Sequence, residues 1–453
     1  MTRLTRDHRV DLGRFDGWLG AWSPSIPQDA DELAAWQQDR AWNLVENARR
    51  ANPFYRDRLH VSEHRDPAAF RALALTTKQQ VVADCAGQPP YGSRTVGEAA
   101  DIRMVVHTSG TSGQGMAIYA LNSADFEAII RTEAVGFIWA GIREGTKVLL
   151  TLPIGMTAAG LWYSAALRAI GSNMFSVGPY PTERKVELLR QFEPEVVVGT
   201  PSYVQRLAVA CEDAGLSPEA TSVETLIVAG QPFSHPWARA IETRWGATLY
   251  EQYGCTERAI AWTCPGGVIK GDSLGVLHFP PESGYYEVID PESGEPVGHG
   301  ESGELVITPF GADASPLIRY ATGDRVRWMA PGACPCGRPL SGVAAGEVER
   351  YDDMMKIRGV NVWPASFDEA VFAVAAVIDY RGTVWVDEDG SERVEIRAEG
   401  AGRPDAIAEA LSASVHRVTG LRVEVKVEPP GTLAREVPEG FVKIKRFQVQ
   451  TLR

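Results

Sequence analysis

Residues 250 to 257 read YEQYGCTE, which puts an aromatic ring, a glycine, a hydroxyl and a carboxylate within five consecutive positions. Tyr253, Gly254, Thr256 and Glu257 are together suited to stack a base, let backbone approach a phosphate, hydrogen-bond that phosphate and ligate a magnesium ion. Three distant segments carry residues of the same kind: HTSGTSGQG from His107, YATGDR from Tyr320 and MMKIRGVNVWP from Met354. In the first, Ser109, Gly110, Thr111, Ser112 and Gly113 directly follow a predicted strand. Glycines let backbone amides converge on an anion and hydroxyls add donors, so the run suits a phosphate cradle; a plain strand-to-helix loop has the same composition. The P-loop of kinases and GTPases requires a lysine that this segment lacks, Gln114 standing in its place.

These groups need a scaffold, and the chain is long enough to supply one. Its 453 residues exceed what a single hydrophobic core usually organises, so two or more domains are expected. A composition 44% hydrophobic and 23% charged is that of an ordinary globular protein. The formal charge of -13 argues against nucleic acid as a partner, because phosphate contacts need concentrated Lys and Arg. The first residues lack the apolar core of a signal peptide, and no run of about eighteen apolar residues occurs, so a cytoplasmic enzyme without a membrane partner is expected. Six cysteines in such a chain are not a disulfide framework; the close pair Cys334 and Cys336 suits metal or thiol chemistry.

Hydrophobic periodicity predicts a helix over 30–50, ended at Asn52-Pro53, and a second following TTKQQVVAD. From Ile102 short apolar runs alternate with helical patterns. MVVHTSG, KVLLTLPIG, EVVVGTPS and TLIVAGQP read as strands, while 125–135, 182–192, 204–214 and 237–245 read as helices. Such alternation predicts an α/β domain with a largely parallel sheet and ligands where the strands run out into loops. After about Leu249 the pattern changes to strands and turns (YYEVID, PESGEP, GELVITP, RVRWM), read as a small barrel or sheet attached to the α/β core. From Asn361 a compact α+β unit of about 100 residues follows, with a helix over 404–418 and a strand over 421–427.

Taken in order, NPFYRDRL, the phosphate loop, AGQP, YGCTE, PLIRYATGD, CPCGR and DDMMKIRGVNVWP resemble the adenylate-forming superfamily of acyl-CoA ligases, and within it the phenylacetate-CoA ligase family. The resemblance covers nearly the whole chain. It implies a large N-terminal domain over 1–351, with parallel sheets and a β-barrel-like subdomain, and a small mobile α+β lid over 352–453. It implies that Ser109 to Gly113 hold the triphosphate of ATP. Gly230, Gln231, Pro232, Glu251, Gln252 and Tyr253 then line the adenine, with Tyr253 stacked on it. Thr256 contacts phosphate, Glu257 ligates Mg2+, Asp324 takes the ribose hydroxyls and Arg350 also faces the nucleotide. The adenylation lysine falls in FVKIKRF, where Lys443 is the first choice and Lys445 the second; Val442 replaces the glycine the family has before its lysine. Gln114 and Gly115 likewise replace a Lys-Pro pair, which removes one positive charge from the triphosphate site.

The resemblance also completes a metal set. The family's upstream cysteine and histidine correspond to Cys264 and His278, which with Cys334 and Cys336 make three sulfurs and one imidazole for a structural Zn2+; Cys255 is a competing ligand. The acyl pocket falls on Ile154, Met156, Thr157, Ala158, Ala159, Trp162 and Tyr163, backed by Val228 and Ala229, whose apolar and aromatic character suits an aryl or arylacetic acid. The implied reaction is ATP-dependent adenylation of such an acid, then thioester formation with CoA. A carrier-protein thiol, an amine or nitrite as acceptor remains open, as does a degenerate nucleotide-binding protein. The sequence is compatible with a homodimer.

Overall fold

In chain order, β1 (Met104–His107) and β2 (Ile118–Leu121) form a two-stranded antiparallel pair. They are followed by β3 (Lys147–Leu150), β4 (Asn173–Ser176), β5 (Val196–Gly199), β6 (Thr225–Ala229), β7 (Thr248–Gly254) and β8 (Ile260–Thr263). This is a computed structural model; it describes residues 26–27, 29–61, 64–108, 116–155, 158–258, 260–386, 392–436 and 446–451. The expected phosphate loop from Ser109 to Gly113 with Gln114 and Gly115, the pocket candidates Met156 and Thr157, and both Lys443 and Lys445 lie outside the described residues.

Strands β4, β3, β5, β6 and β7 are neighbours in that order and all parallel. Their sequences explain this. The run VVVG of β5 is buried at every position, as a strand covered by helices on both faces must be. The helices Ala158–Ile170, Thr182–Phe192, Pro201–Asp213 and His235–Trp245 supply the crossovers. Each start is encoded locally where a cap is present: the Thr200 side chain accepts from the Tyr203 N–H with a proline following, and Ser234 accepts from Trp237. Gly246, at φ 63°, ends the last of them.

At β8 the sheet changes character. β7 and β8 are antiparallel, and pairing continues through Val276–His278, Gly342–Ala344, Tyr320–Met329, Ser302–Pro309 and Gly284–Ile289, every pair antiparallel. Together the described strands form one mixed sheet of twelve, with Glu349–Arg350 pairing on the side of Tyr320–Met329. The barrel-like subdomain expected from the sequence is thus a continuation of the main sheet. The ten-residue strand Tyr320–Met329 causes this: residues 320–327 pair with Ser302–Pro309, while Trp328 and Met329 pair with Gly342–Ala344. Period-two alternation identifies a strand but not its partners.

The C-terminal residues form a second sheet of four strands, in the order Glu424–Glu428, Glu392–Gly400, Val377–Val386, Phe447–Thr451. The helices Pro364–Phe372 and Pro404–Thr419 pack against each other beside it. One turn of 3-10 helix, Tyr351–Asp353, precedes this unit. The unit meets the main body where helix Pro364–Phe372 packs against helix His235–Trp245, and polar bonds add to that contact. Gln205 donates to the Ile378 carbonyl while accepting from the Trp237 indole at 2.6 Å, and Arg435 pairs with Asp213 at 3.1 Å. Among the described residues no helix is long and apolar enough to cross a membrane.

Candidate active site

β7 and the turn behind it present side chains in two directions, as pleating requires. Glu251 and Tyr253 face one way. The Tyr253 hydroxyl donates to Asp324 Oδ2 at 2.5 Å, and Arg350 Nη1 donates to Asp324 Oδ1 at 3.0 Å and to the Thr322 carbonyl at 3.1 Å. Strand pairing sets Asp324 directly opposite Arg350, so the ion pair is built into the register. Burial pushes the Asp324 carboxyl up, opposed by Arg350 and by the Tyr253 bond. Burial, then the Asp324 charge, drives the Tyr253 phenol well above its ordinary value, so it is a donor at any working pH. Both Asp324 oxygens are engaged, so a diol arriving there must share or displace these donors.

Glu251 Oε2 accepts from the Gly346 N–H at 2.7 Å, and burial raises its carboxyl to about 8 against that bond. Gly346 sits at φ 75°, its carbonyl accepting from the Phe233 N–H, and a Cβ there would lie 2.4 Å from the Phe233 oxygen. The loop after β6 is thereby tied down at one end; at its other end Gly230 adopts φ 81° and Gln231 Oε1 accepts from Ser202 Oγ at 2.7 Å. Pro232 lies between these two anchors.

Gln252 points to the opposite side. It accepts from the Tyr163 hydroxyl and donates to Glu133 at 3.3 Å, and the Trp262 indole also donates to Glu133, at 3.2 Å. Among the described residues Glu133 has only these neutral donors, and burial pushes its carboxyl up to about 8. Of the pocket candidates, Ala158, Trp162 and Tyr163 are buried, Val228 and Ala229 lie in the core, Ala159 is exposed and Ile154 is exposed. His107 is half-buried, with Nδ1 2.8 Å from the Thr108 carbonyl oxygen.

Gly254, which ends β7, is exposed; in the turn beyond it Thr256 is half-buried, whereas Glu257 is buried. Glu257 Oε1 accepts from Tyr119 at 3.2 Å and from Tyr320 at 3.1 Å. The next residue, Arg258, takes the left-handed conformation at φ 77° and is held by the carbonyls of Gly311 and, at 3.3 Å, Asp125. A bulky residue in that region marks stored strain next to a functional group. The sequence offered Tyr320 inside its RYATGD string, but Tyr119 sits in IYAL, which looks like any strand.

A second cluster lies at the other end of β8. Cys264 follows that strand, His278 ends its neighbour, and Cys334 and Cys336 come from the loop after Met329. Cys264 Sγ is 3.8 Å from Cys334 Sγ, Cys336 Sγ is 3.4 Å from His278 Nε2, and all four donor atoms lie within 4.8 Å of one another. A tetrahedral ion with ~2.3 Å metal–sulfur bonds separates its sulfurs by about 3.8 Å, so the set fits such an ion. The bond with Cys334 lowers the Cys264 thiol to about 7. Cys255 is not part of this group.

A mixed sheet with a nucleotide-suited constellation at the end of its parallel half defines the adenylate-forming enzymes. The AMP-binding enzyme family matches residues 44–310 of this chain. A phenylacetate-coenzyme A ligase of Pseudomonas putida is 30% identical over 449 residues, covering 94% of this chain and 96% of its own. Another, from Thermus thermophilus, is 29% identical over 89% of this chain and 94% of its own. The fold matches that of a 2-hydroxyisobutyryl-CoA ligase captured in its postadenylation state, with a TM-score of 0.83, 21% identity and 96% of each chain covered. The chain belongs to the AMP-binding enzyme family, in its branch of AMP-forming acyl-CoA ligases.

Proposed function

We propose that the chain activates an aromatic carboxylic acid, aryl or arylacetic, with ATP and transfers the acyl group to the thiol of CoA. The observation that carries this reading is the convergence of Tyr253, Asp324 and Arg350 from three strands, and of Glu257 from the turn after β7, onto one end of the sheet. The names of the relatives and the buried Trp162 and Tyr163 support an aromatic acid.

In the first step a carboxylate oxygen attacks the α-phosphorus, the bond to the β-phosphate oxygen breaks and pyrophosphate leaves. In the second the thiol sulfur attacks the adenylate carbonyl, AMP leaves and the thiol proton passes to solvent. We assign Ser109 to Gly113, Gly254 and Thr256 to the phosphates, Gly230 to Pro232 with Glu251 and Tyr253 to the adenine wall, Gln252 contributing backbone alone, and Asp324 with Arg350 to the ribose. Glu257 holds magnesium, which when bound supplies positive charge at the triphosphate; Lys443 supplies the rest from a lid beginning near Asp352. The Cys264, His278, Cys334 and Cys336 group holds a structural zinc ion.

Mass spectrometry of products, with CoA, a carrier-protein thiol and an amine offered separately alongside ATP and a panel of aryl acids, tests the reading. An acyl-CoA is expected. Adenylate formed without any CoA consumption would reject it and favour another acceptor.

A further inference from the structure

Glu257 is a buried carboxylate whose hydrogen-bond partners among the described residues are both neutral hydroxyls, and both bonds end on the same oxygen. The arginine that feels its charge, Arg350, is already paired with Asp324, which leaves the buried carboxylate suited to a further cation. Its Oε2 accepts no hydrogen bond among the described residues, while Oε1 is held from two sides. The hydroxyl distances are long for O–H···O bonds, as expected where two donors share one acceptor atom.

The two donors are themselves fixed. Tyr119 and Tyr320 are both buried, and they come from segments that Arg94 ties together. Arg94 donates to the Ile118 carbonyl at 2.9 Å and the Ser315 carbonyl at 2.8 Å, and its guanidinium lies 5.0 Å from the centre of the Tyr119 ring. Ser315 Oγ in turn accepts from the Ala120 N–H at 3.2 Å. Tyr320 is clamped on the other side by backbone bonds between Thr76 and its two neighbours: Thr76 N–H to Arg319, and Ala321 N–H to Thr76. Glu257, by contrast, sits in a turn, with an exposed glycine three residues before it and a strained arginine after it.

We propose that Tyr119 and Tyr320 are positioning residues that hold Glu257 by Oε1 and so aim Oε2 at the divalent cation accompanying ATP. This rests on the reading of Glu257 as that cation's ligand. The hydroxyls touch neither nucleotide nor ion; they fix one rotamer of a carboxylate whose own turn would not.

The test is Mn2+ binding to the protein with α,β-methylene-ATP, followed by electron paramagnetic resonance. Tyr119→Phe, Tyr320→Phe, the double variant and Glu257→Gln are compared with the parent. Each phenylalanine removes only a hydroxyl, and the single variants decide the matter if the double does not fold. Binding of the nucleotide in EDTA serves as the cation-free reference. Each single variant is expected to weaken Mn2+ about threefold and the double about tenfold, with cation-free nucleotide affinity unchanged and Glu257→Gln weaker still. If the phenylalanine variants bind Mn2+ like the parent while Glu257→Gln does not, the positioning role is overturned and the ligand survives. Parent-like Mn2+ affinity in Glu257→Gln overturns both. Equal losses with and without cation overturn the positioning role in favour of general packing damage.

Discussion

Tyr253 and Asp324 lie 71 residues apart in sequence, yet their side chains share a 2.5 Å hydrogen bond whose acceptor is also paired with Arg350. The carboxylate is therefore oriented before any nucleotide arrives. Asp324→Asn is expected to raise KM for ATP about tenfold, and Tyr253→Phe about threefold, with kcat changing less in both. Steady-state pyrophosphate release reads this; a fall in kcat at constant KM would place the pair at the reacting atoms instead. A tenfold change corresponds to roughly 1.4 kcal/mol, close to the lower end for one charged hydrogen bond.

Lys443→Ala is expected to slow pyrophosphate release by at least about a hundredfold, the scale of losing one group that stabilises transition-state charge. Lys445→Ala is expected to keep most of the rate. The reverse ranking would move the adenylating role to Lys445.

The four-donor cluster predicts about one zinc ion per chain in purified protein by elemental analysis. Cys264→Ser or Cys334→Ser is expected to remove the ion and lower the melting temperature. Full metal content in the Cys334→Ser protein would place the ion elsewhere.

Glu133 gives a pH signature. Its carboxyl ordinarily titrates near 4.5 and is raised to about 8 in the fold by burial. Between these values the folded chain holds a proton that the unfolded chain has lost. Its contribution is thus complete below pH 4.5 and disappears as the pH rises through about 8. Glu133→Gln keeps acceptor and shape without the titration, so the decline of stability with pH should flatten by up to about 1.4 kcal/mol per pH unit in that window. Chemical denaturation at pH 5, 6, 7 and 8 measures the slope; an unchanged slope would mean Glu133 titrates normally.

Gly136, inside the helix Ser123–Trp139, has no room for a methyl group: an added Cβ would sit 1.8 Å from the Trp262 ring. That indole is fully buried and donates to Glu133, so it cannot step aside freely. Gly136→Ala should therefore destabilise by ~1–3 kcal/mol despite the better helix propensity of alanine. A more stable variant in thermal melting would show that the ring relaxes.

The parallel half of the sheet was legible because VVVG and TLIVA are continuous apolar runs bounded by helical patterns, the signature of strands covered on both faces. The Cys264 and His278 partners of the cysteine pair were legible through the family motifs, and the structure brings all four together. What could not be read was pairing at a distance. The split partnership of Tyr320–Met329 depends on tertiary fit, and nothing in IYAL marks Tyr119 as the neighbour of a carboxylate 138 residues away. Gln252 stands within the YEQYGCTE string, but pleating turns its amide to Glu133 and Tyr163, behind the strand.

The turn carrying Glu257 lies at the seam where the parallel half of the sheet meets the antiparallel half. During synthesis the chain reaches that turn 63 residues before it reaches Tyr320. A growing chain can close its crossover units early, but the nucleotide end of β7 stays unfinished until strands from the later half have docked. Contacts of such long range form slowly. Bound ATP would then stabilise a joint that closes only when those later strands have docked.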